Sequence, residues 1–187
     1  YVKNRRTIRH YKDEKVSREL IEKIMDTVRY SASGSNIQNT GFYIYSNRED
    51  IRKISALTVE WMESILNTPH PMAKYVGGVV QLWHSGVDFI SHNAPHLLIA
   101  HIPYNPYVYD PTDAVIALTH FDILAPSFGL GTCWAGFIKM AVDSYEPLRK
   151  HINPDSDKSI VYPMLFGYPV YKAYHIPERK EAQIEWR

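Results

Sequence analysis

Arg5, Arg6 and Arg9 of RRTIR stand close together at the start of the chain, with the hydroxyl of Thr7 among them. A guanidinium is a planar fork of donors matched to phosphate oxygens, and the hydroxyl adds a neutral donor, so this cluster has the chemistry to enclose a dianionic phosphate. A second basic pair, Arg179-Lys180, stands alone near the other end. If the chain ends meet, the two clusters would neutralise one phosphate together. The competing reading is a solvated basic patch, the usual fate of charged runs.

Other candidate groups carry weaker signals. The chain has nine histidines, and HNAPH sets His92 and His96 four apart, but that spacing joins two imidazoles only on a helix and Pro95 lies between them. His101 follows His96 by an odd offset on an expected strand, so those two point to opposite faces. The pattern reads against a metal site. Cys133 has no histidine or carboxylate at a spacing that argues for a nucleophile, and buried packing is the expectation. GLGTCWAG, residues 129–136, looks superficially like a dinucleotide loop. Its expected order, helix then strand, reverses the strand, turn and helix that put phosphate on a helix N-terminus, so a dinucleotide-loop reading is rejected. The small residues Ala135 and Gly136 would still let a flat ligand approach the backbone.

The elements that must position these groups are legible along most of the chain. Ser17 is placed to cap a helix with Leu20, Ile21, Ile24, Met25 and Val28 on one face. The small and amide residues 31–40 read as a loop leading to a strand from Gly41 to Tyr45. A second helix is expected from Arg48 to Leu66, and a loop with a short helix ending near His92 within 74–93. APHLLIAHIP reads as a buried strand, and Asp113 to Gly129 as a helix apolar on nearly every side, interrupted at Pro126 and stopped by Gly129 and Gly131. Such a helix belongs in a core or a subunit interface. TCWAGFI reads as a strand, Ser144 to Ile152 as a short capped helix, SIVYPMLFGYP as a buried strand, and 170–187 as an exposed tail. Imperfect alternation of helices and strands predicts an α+β, or mixed α/β sandwich, class in one domain over 1–187. The 45% hydrophobic content suffices for one core. With 21 basic against 20 acidic residues there is no overall field to recruit nucleic acid or an anionic membrane. One cysteine excludes an internal disulfide framework and a cysteine-ligated metal or iron-sulfur site, and suits a reducing cytoplasmic compartment. No apolar run reaches the ~18 residues of a membrane span. The first residue is Tyr1 and the arginines follow almost at once, which suggests upstream sequence.

Taken together, the motifs resemble those of the FMN-dependent nitroreductases. The family's Arg-Arg-Ser-Ile-Arg-like opening is matched by Arg5-Arg6-Thr7-Ile8-Arg9, and its Pro-Ser-Gly/Ser-x-Asn-x-Gln-like loop by Ala32-Ser33-Gly34-Ser35-Asn36-Ile37-Gln38. Ala94-Pro95 before a strand, the Gly129 to Gly136 run, and Gly167-Tyr168-Pro169 followed by Arg179-Lys180 complete the set in order. Ala32 and Asn39-Thr40 depart from the family's proline and Pro-Trp, and no residue among Val87 to Ile90 matches a polar flavin contact common in the family.

The resemblance implies a nitroreductase-like fold, with a mostly antiparallel central sheet flanked by helices, and FMN held between the subunits of a homodimer. It places Arg5, Thr7, Arg179 and Lys180 at the phosphate, Arg6 beside them, and Arg9 at the pyrimidine edge. Ser33, Gly34 and Asn36 would come from the other subunit, with Gln38 supporting their loop, and the backbone at Ala135 and Gly136 would face flavin N5. The implied activity is reduction of nitroaromatic, quinone or similar acceptors with electrons from NAD(P)H or a ferredoxin-type donor. It needs no side-chain acid or base. The alternatives are a dehalogenase-like reductive enzyme and a non-catalytic flavin-binding module. Some members follow a ferredoxin-type iron-sulfur domain, which would account for the abrupt start at Tyr1.

Overall fold

The computed structural model describes residues 2–187. Four strands form one antiparallel sheet in the order β1-β2-β4-β3, with β1 Gly41–Tyr45, β2 His96–Pro103, β3 Gly131–Trp134 and β4 Lys158–Gly167. Helices cover both faces, and the alternation of side chains along the central strands sorts the core into two halves. Leu97, Ile99 and Leu165 point to the half built on α2 Arg48–Ile65, α3 Ala73–His84, α5 Gly136–Ser144 and α6 Glu146–Ile152. Leu98, Ala100, Met164 and Phe166 point to the half built on α1 Arg18–Val28 and α4 Thr112–Leu124. A strand buried on both faces reads as a continuous apolar run, which is why HLLIAHIP shows no polar alternation. The mixed α+β architecture with a central antiparallel sheet is the one expected.

Local signals explain most boundaries. The Ser17 side chain accepts the Leu20 N–H at 3.2 Å and Asn47 that of Glu49 at 3.0 Å, each occupying one otherwise unpaired donor of a helix start. α4 stops at Leu124, where a 3₁₀ turn Ala125–Phe128 carries Pro126, and Gly129 closes it at φ 75°, a conformation glycine adopts without strain.

Three expectations fail. Residues 73–84 form one helix straight through Gly77-Gly78, because Val76, Val79 and Val80 bury their side chains in the core, and turns rather than helix fill 85–93. The strand in TCWAGFI ends at Trp134, and Gly136 opens α5. Ser144 ends α5 rather than capping the next helix, which starts at Glu146 with no side-chain cap.

The chain ends meet along the free edge of β3. Ile8 donates its N–H to Thr132 O at 2.8 Å and Lys12 to Tyr168 O at 2.8 Å, and Val170 donates to His10 O at 2.9 Å. Thr7 pairs with Thr132 in a parallel bridge.

His96 ties this amino-terminal segment to the sheet. Its Nε2 accepts the Val16 N–H at 2.8 Å, so the proton sits on Nδ1, which donates to Ser46 Oγ at 2.9 Å while the ring stacks on Phe166. Burial lowers its pKa from 6.5 to about 4. The folded state therefore binds fewer protons than the unfolded chain between those values, so stability is full above the ordinary histidine value and lost as pH falls toward 4. Unfolding free energies from urea titrations across that window should fall with a slope approaching ~1.4 kcal/mol per pH unit from this group, and His96→Asn should flatten it.

Candidate functional site

The strand-to-helix junction that sequence reasoning missed is the centre of the site. β3 ends at Trp134, Ala135 is the N-cap of α5, and no side chain caps that helix. Ala135 donates its N–H to Pro163 O at 3.0 Å and its carbonyl accepts from Lys139, so its backbone is committed. Of the expected Ala135 and Gly136 pair, the free amide at the junction is that of Gly136. The first amides of a helix have no partner within it and carry partial positive charge, so this end favours a ligand acceptor or an anionic edge. It opens into a hollow of about 380 Å³, lined by Ala135, Gly136, Phe137 and Cys133 and also by Arg9. A cation, an uncapped helix start and apolar walls suit a planar ligand with one electron-rich edge. Burial pushes the Cys133 thiol up and Arg9 pulls it the other way; the net shift is upward, so the group stays a thiol in neutral solution.

The arginines of RRTIR divide. Arg6 is spent on structure, its guanidinium donating to Lys3 O, Arg5 O and His175 O at 2.8, 2.7 and 2.6 Å, the last of which fastens the tail. Arg5 faces Asp122 of α4, Nε to Oδ2 3.6 Å. Sequence reading overlooked this carboxylate; the one available signal was an acid within an otherwise apolar helix. Asp122 is 4% exposed, accepts from the Thr132 hydroxyl and accepts from Trp134 Nε1 at 3.0 Å. It thus joins Arg5 to β3, the strand that leads into Ala135 and Gly136. Thr7 and Arg9 remain exposed on the same segment. Arg179 and Lys180 lie in the exposed tail, and among the described residues they form no ion pair.

The loop 33–38 sits elsewhere. Gly34 donates its N–H to both carboxylate oxygens of Asp113 on α4, at 3.0 and 3.2 Å, and Ser33 Oγ accepts the Gln38 N–H at 3.2 Å. Gln38 Nε2 donates to Asn36 Oδ1 at 2.8 Å. Residues Ser35, Asn36 and Gln38 hold positive φ of 50°, 55° and 50°. None of these loop residues lines the hollow of its own chain.

The family model for nitroreductases matches residues 2–168. The chain belongs to the nitroreductase family. The fold is shared with solved nitroreductases at low identity. A nitroreductase with bound FMN from Desulfitobacterium hafniense DCB-2 superposes with TM-score 0.74 at 20% identity, covering 98% of this chain and 96% of that one. A second with bound FMN, from Bacteroides fragilis NCTC 9343, gives 0.71 at 17%, covering 98% and 92%. Oxidised iodotyrosine deiodinase bound to FMN and 3-iodo-L-tyrosine gives 0.73 at 19%, covering 100% and 96%. Comparison with curated protein sequences gave no match. No helix of the described residues is long and apolar enough to cross a membrane.

Proposed function

We propose that this nitroreductase-family chain is an FMN-dependent oxidoreductase that reduces nitroaromatic, quinone or similar acceptors with electrons from NAD(P)H or a ferredoxin-type donor. The observation that carries the reading is the pairing of Arg9 with the free Gly136 amide in one hollow. FMN, when bound, supplies two-electron transfer through its ring. The chain binds and orients it. The Gly136 N–H would hold the electron-rich edge of the flavin ring without adding bulk, and Arg9 would stabilise negative charge on the ring, which would raise the reduction potential. The Thr7 hydroxyl and Arg5, with Arg6 behind them and Arg179 and Lys180 brought in by the tail, would hold the phosphate.

The site is completed by a second copy of the chain, which supplies Ser33, Gly34, Asn36 and Gln38. Two features support a homodimer. The loop carrying these residues is fixed to α4 and away from its own chain's hollow, with Ile37 61% exposed beside it. α4 itself keeps Val115 at the surface. The compartment we infer is the cytoplasm, in keeping with the single reduced cysteine.

Oxidation of NADH or NADPH by the FMN-loaded protein should accelerate on adding a quinone or nitroaromatic, and an anaerobic screen with haloaromatics separates a dehalogenase-like enzyme. Inertness toward every donor would overturn the enzymatic reading and favour a flavin-binding module.

A further inference from the structure

A second hollow, of about 410 Å³, adjoins the first and shares Arg9, Phe89 and His92 with it. Its remaining polar wall is built by His10, Asp88 and Asn93, and its apolar wall by Val87, Val170 and the rings of Tyr11 and Tyr171. The aromatic rings are edge-on pairs, Phe89 with His92 at 5.1 Å and His10 with Tyr171 at 5.5 Å between centroids.

The charge of this hollow is one-sided. Arg9 is a fixed cation, and the imidazoles of His10 and His92 each carry a ring N–H to offer, whereas the lining carboxylate, Asp88, has its oxygens engaged. It accepts the Ile90 N–H at 2.9 Å, the Ser91 N–H at 2.8 Å and the Ser91 hydroxyl at 2.6 Å, and it is 5% exposed. Backbone strain sets the imidazole in place: His92 and Asn93 are consecutive left-handed residues, at φ 52° and 53°. For a residue with a side chain that conformation costs about 1 kcal/mol or more, and such strain gathers at ligand sites.

We propose that this adjoining hollow is the acceptor subsite and that it takes an aromatic ring bearing an anionic substituent, a carboxylate, with the ring between Phe89 and Tyr171 and the anion toward His10 and His92. The proposal rests on the functional reading above for its role as acceptor subsite, while its preference for anions is a property of the chain alone. Other groups face His92. Arg9 and His10 come from the amino-terminal segment, Asp88 from its own turn, and Tyr11 and Tyr171 line the same hollow. Burial first, then Arg9 and His10, lower the pKa of His92, and a bound carboxylate opposes that shift. Binding therefore takes up a proton, and the anion's advantage grows as pH falls.

Calorimetry with para-nitrobenzoate and its neutral amide, on flavin-loaded and flavin-free protein, tests this. At about pH 6 the benzoate should bind about tenfold more tightly than the amide in both forms, with an advantage that shrinks toward about pH 8 and in high salt. The double variant His10→Gln/His92→Asn, with asparagine chosen because it tolerates the left-handed backbone, should lose the preference and keep the amide affinity. If that variant fails to fold, His10→Gln at its exposed site must weaken the benzoate alone by severalfold. Equal affinities in the unaltered protein, or a preference that survives the substitutions, overturn the proposal. Failure to take up FMN with the preference intact overturns the functional reading instead.

Discussion

Asp122→Ala should lower stability by about 3 kcal/mol and weaken FMN binding at least tenfold, because removing one partner of a buried pair strands the groups it satisfied. The alanine leaves Trp134 Nε1, the Thr132 hydroxyl and the Arg5 guanidinium without their shared acceptor. For a domain of this size the melting temperature should fall by roughly 10 °C. Asp122→Asn keeps an acceptor while removing the charge, so its loss should be smaller. The two effects of Asp122→Ala have different origins. Stability falls because buried donors are unpaired, and cofactor affinity falls because Arg5 and the β3–α5 junction lose a common anchor. A stability change within 0.5 kcal/mol, on the scale of ordinary surface substitutions, would show that Asp122 is not the link between them.

Gly131→Ala should detach the arginine-bearing segment from the sheet. A Cβ at Gly131 would lie 2.9 Å from Ile8 Cβ, against the branch point of a side chain rather than its flexible end. The strand that Ile8 follows is held by its own N–H to Thr132 O, so relief requires residues 5–9 to shift away from β3. Forced overpacking of this kind costs about 1–3 kcal/mol. The larger consequence is functional, since Arg9 would leave the hollow it shares with Gly136, and the FMN dissociation constant should rise at least tenfold. Gly78→Ala is the control. Nothing lies within 4 Å of the added methyl, and alanine in a helix interior should leave the protein as stable as before or up to about 1 kcal/mol more so. Flavin fluorescence titrations on the three proteins provide the comparison.

The sequence made α1, α2 and strands β1, β2 and β4 legible because their signals are local: a cap at Ser17, apolar periodicity, and runs of β-rich residues between turns. α3 was hidden because Gly77-Gly78 argues against a helix locally, while packing of its valines into the core decides the outcome. The start of α5 was hidden for the opposite reason. Gly-Phe-Ile favours a strand by residue type, and the uncapped Ala135 gives no helix-start signal. The glycines of GLGTCWAG do follow a helix and lead into β3, as expected; the strand-to-helix junction lies beyond them at Ala135, beside the hollow that Gly136 lines. The site's composition was visible in RRTIR and Ala135-Gly136, but which groups are free was not. Ala135 loses its amide to Pro163, Arg6 a donor to His175 O, and Arg5 faces Asp122, all through contacts distant in sequence. His92 was weighed only as a metal ligand in HNAPH; the left-handed turn that places it in the hollow has no sequence signature of its own.

The most direct test of the account is an FMN titration of the purified flavin-free chain, followed by flavin fluorescence and by gel filtration. The account predicts saturation at one FMN per chain with micromolar or tighter affinity, in a particle of two chains. Free FMN whose fluorescence is unchanged by excess protein, with the chain eluting alone, would contradict it.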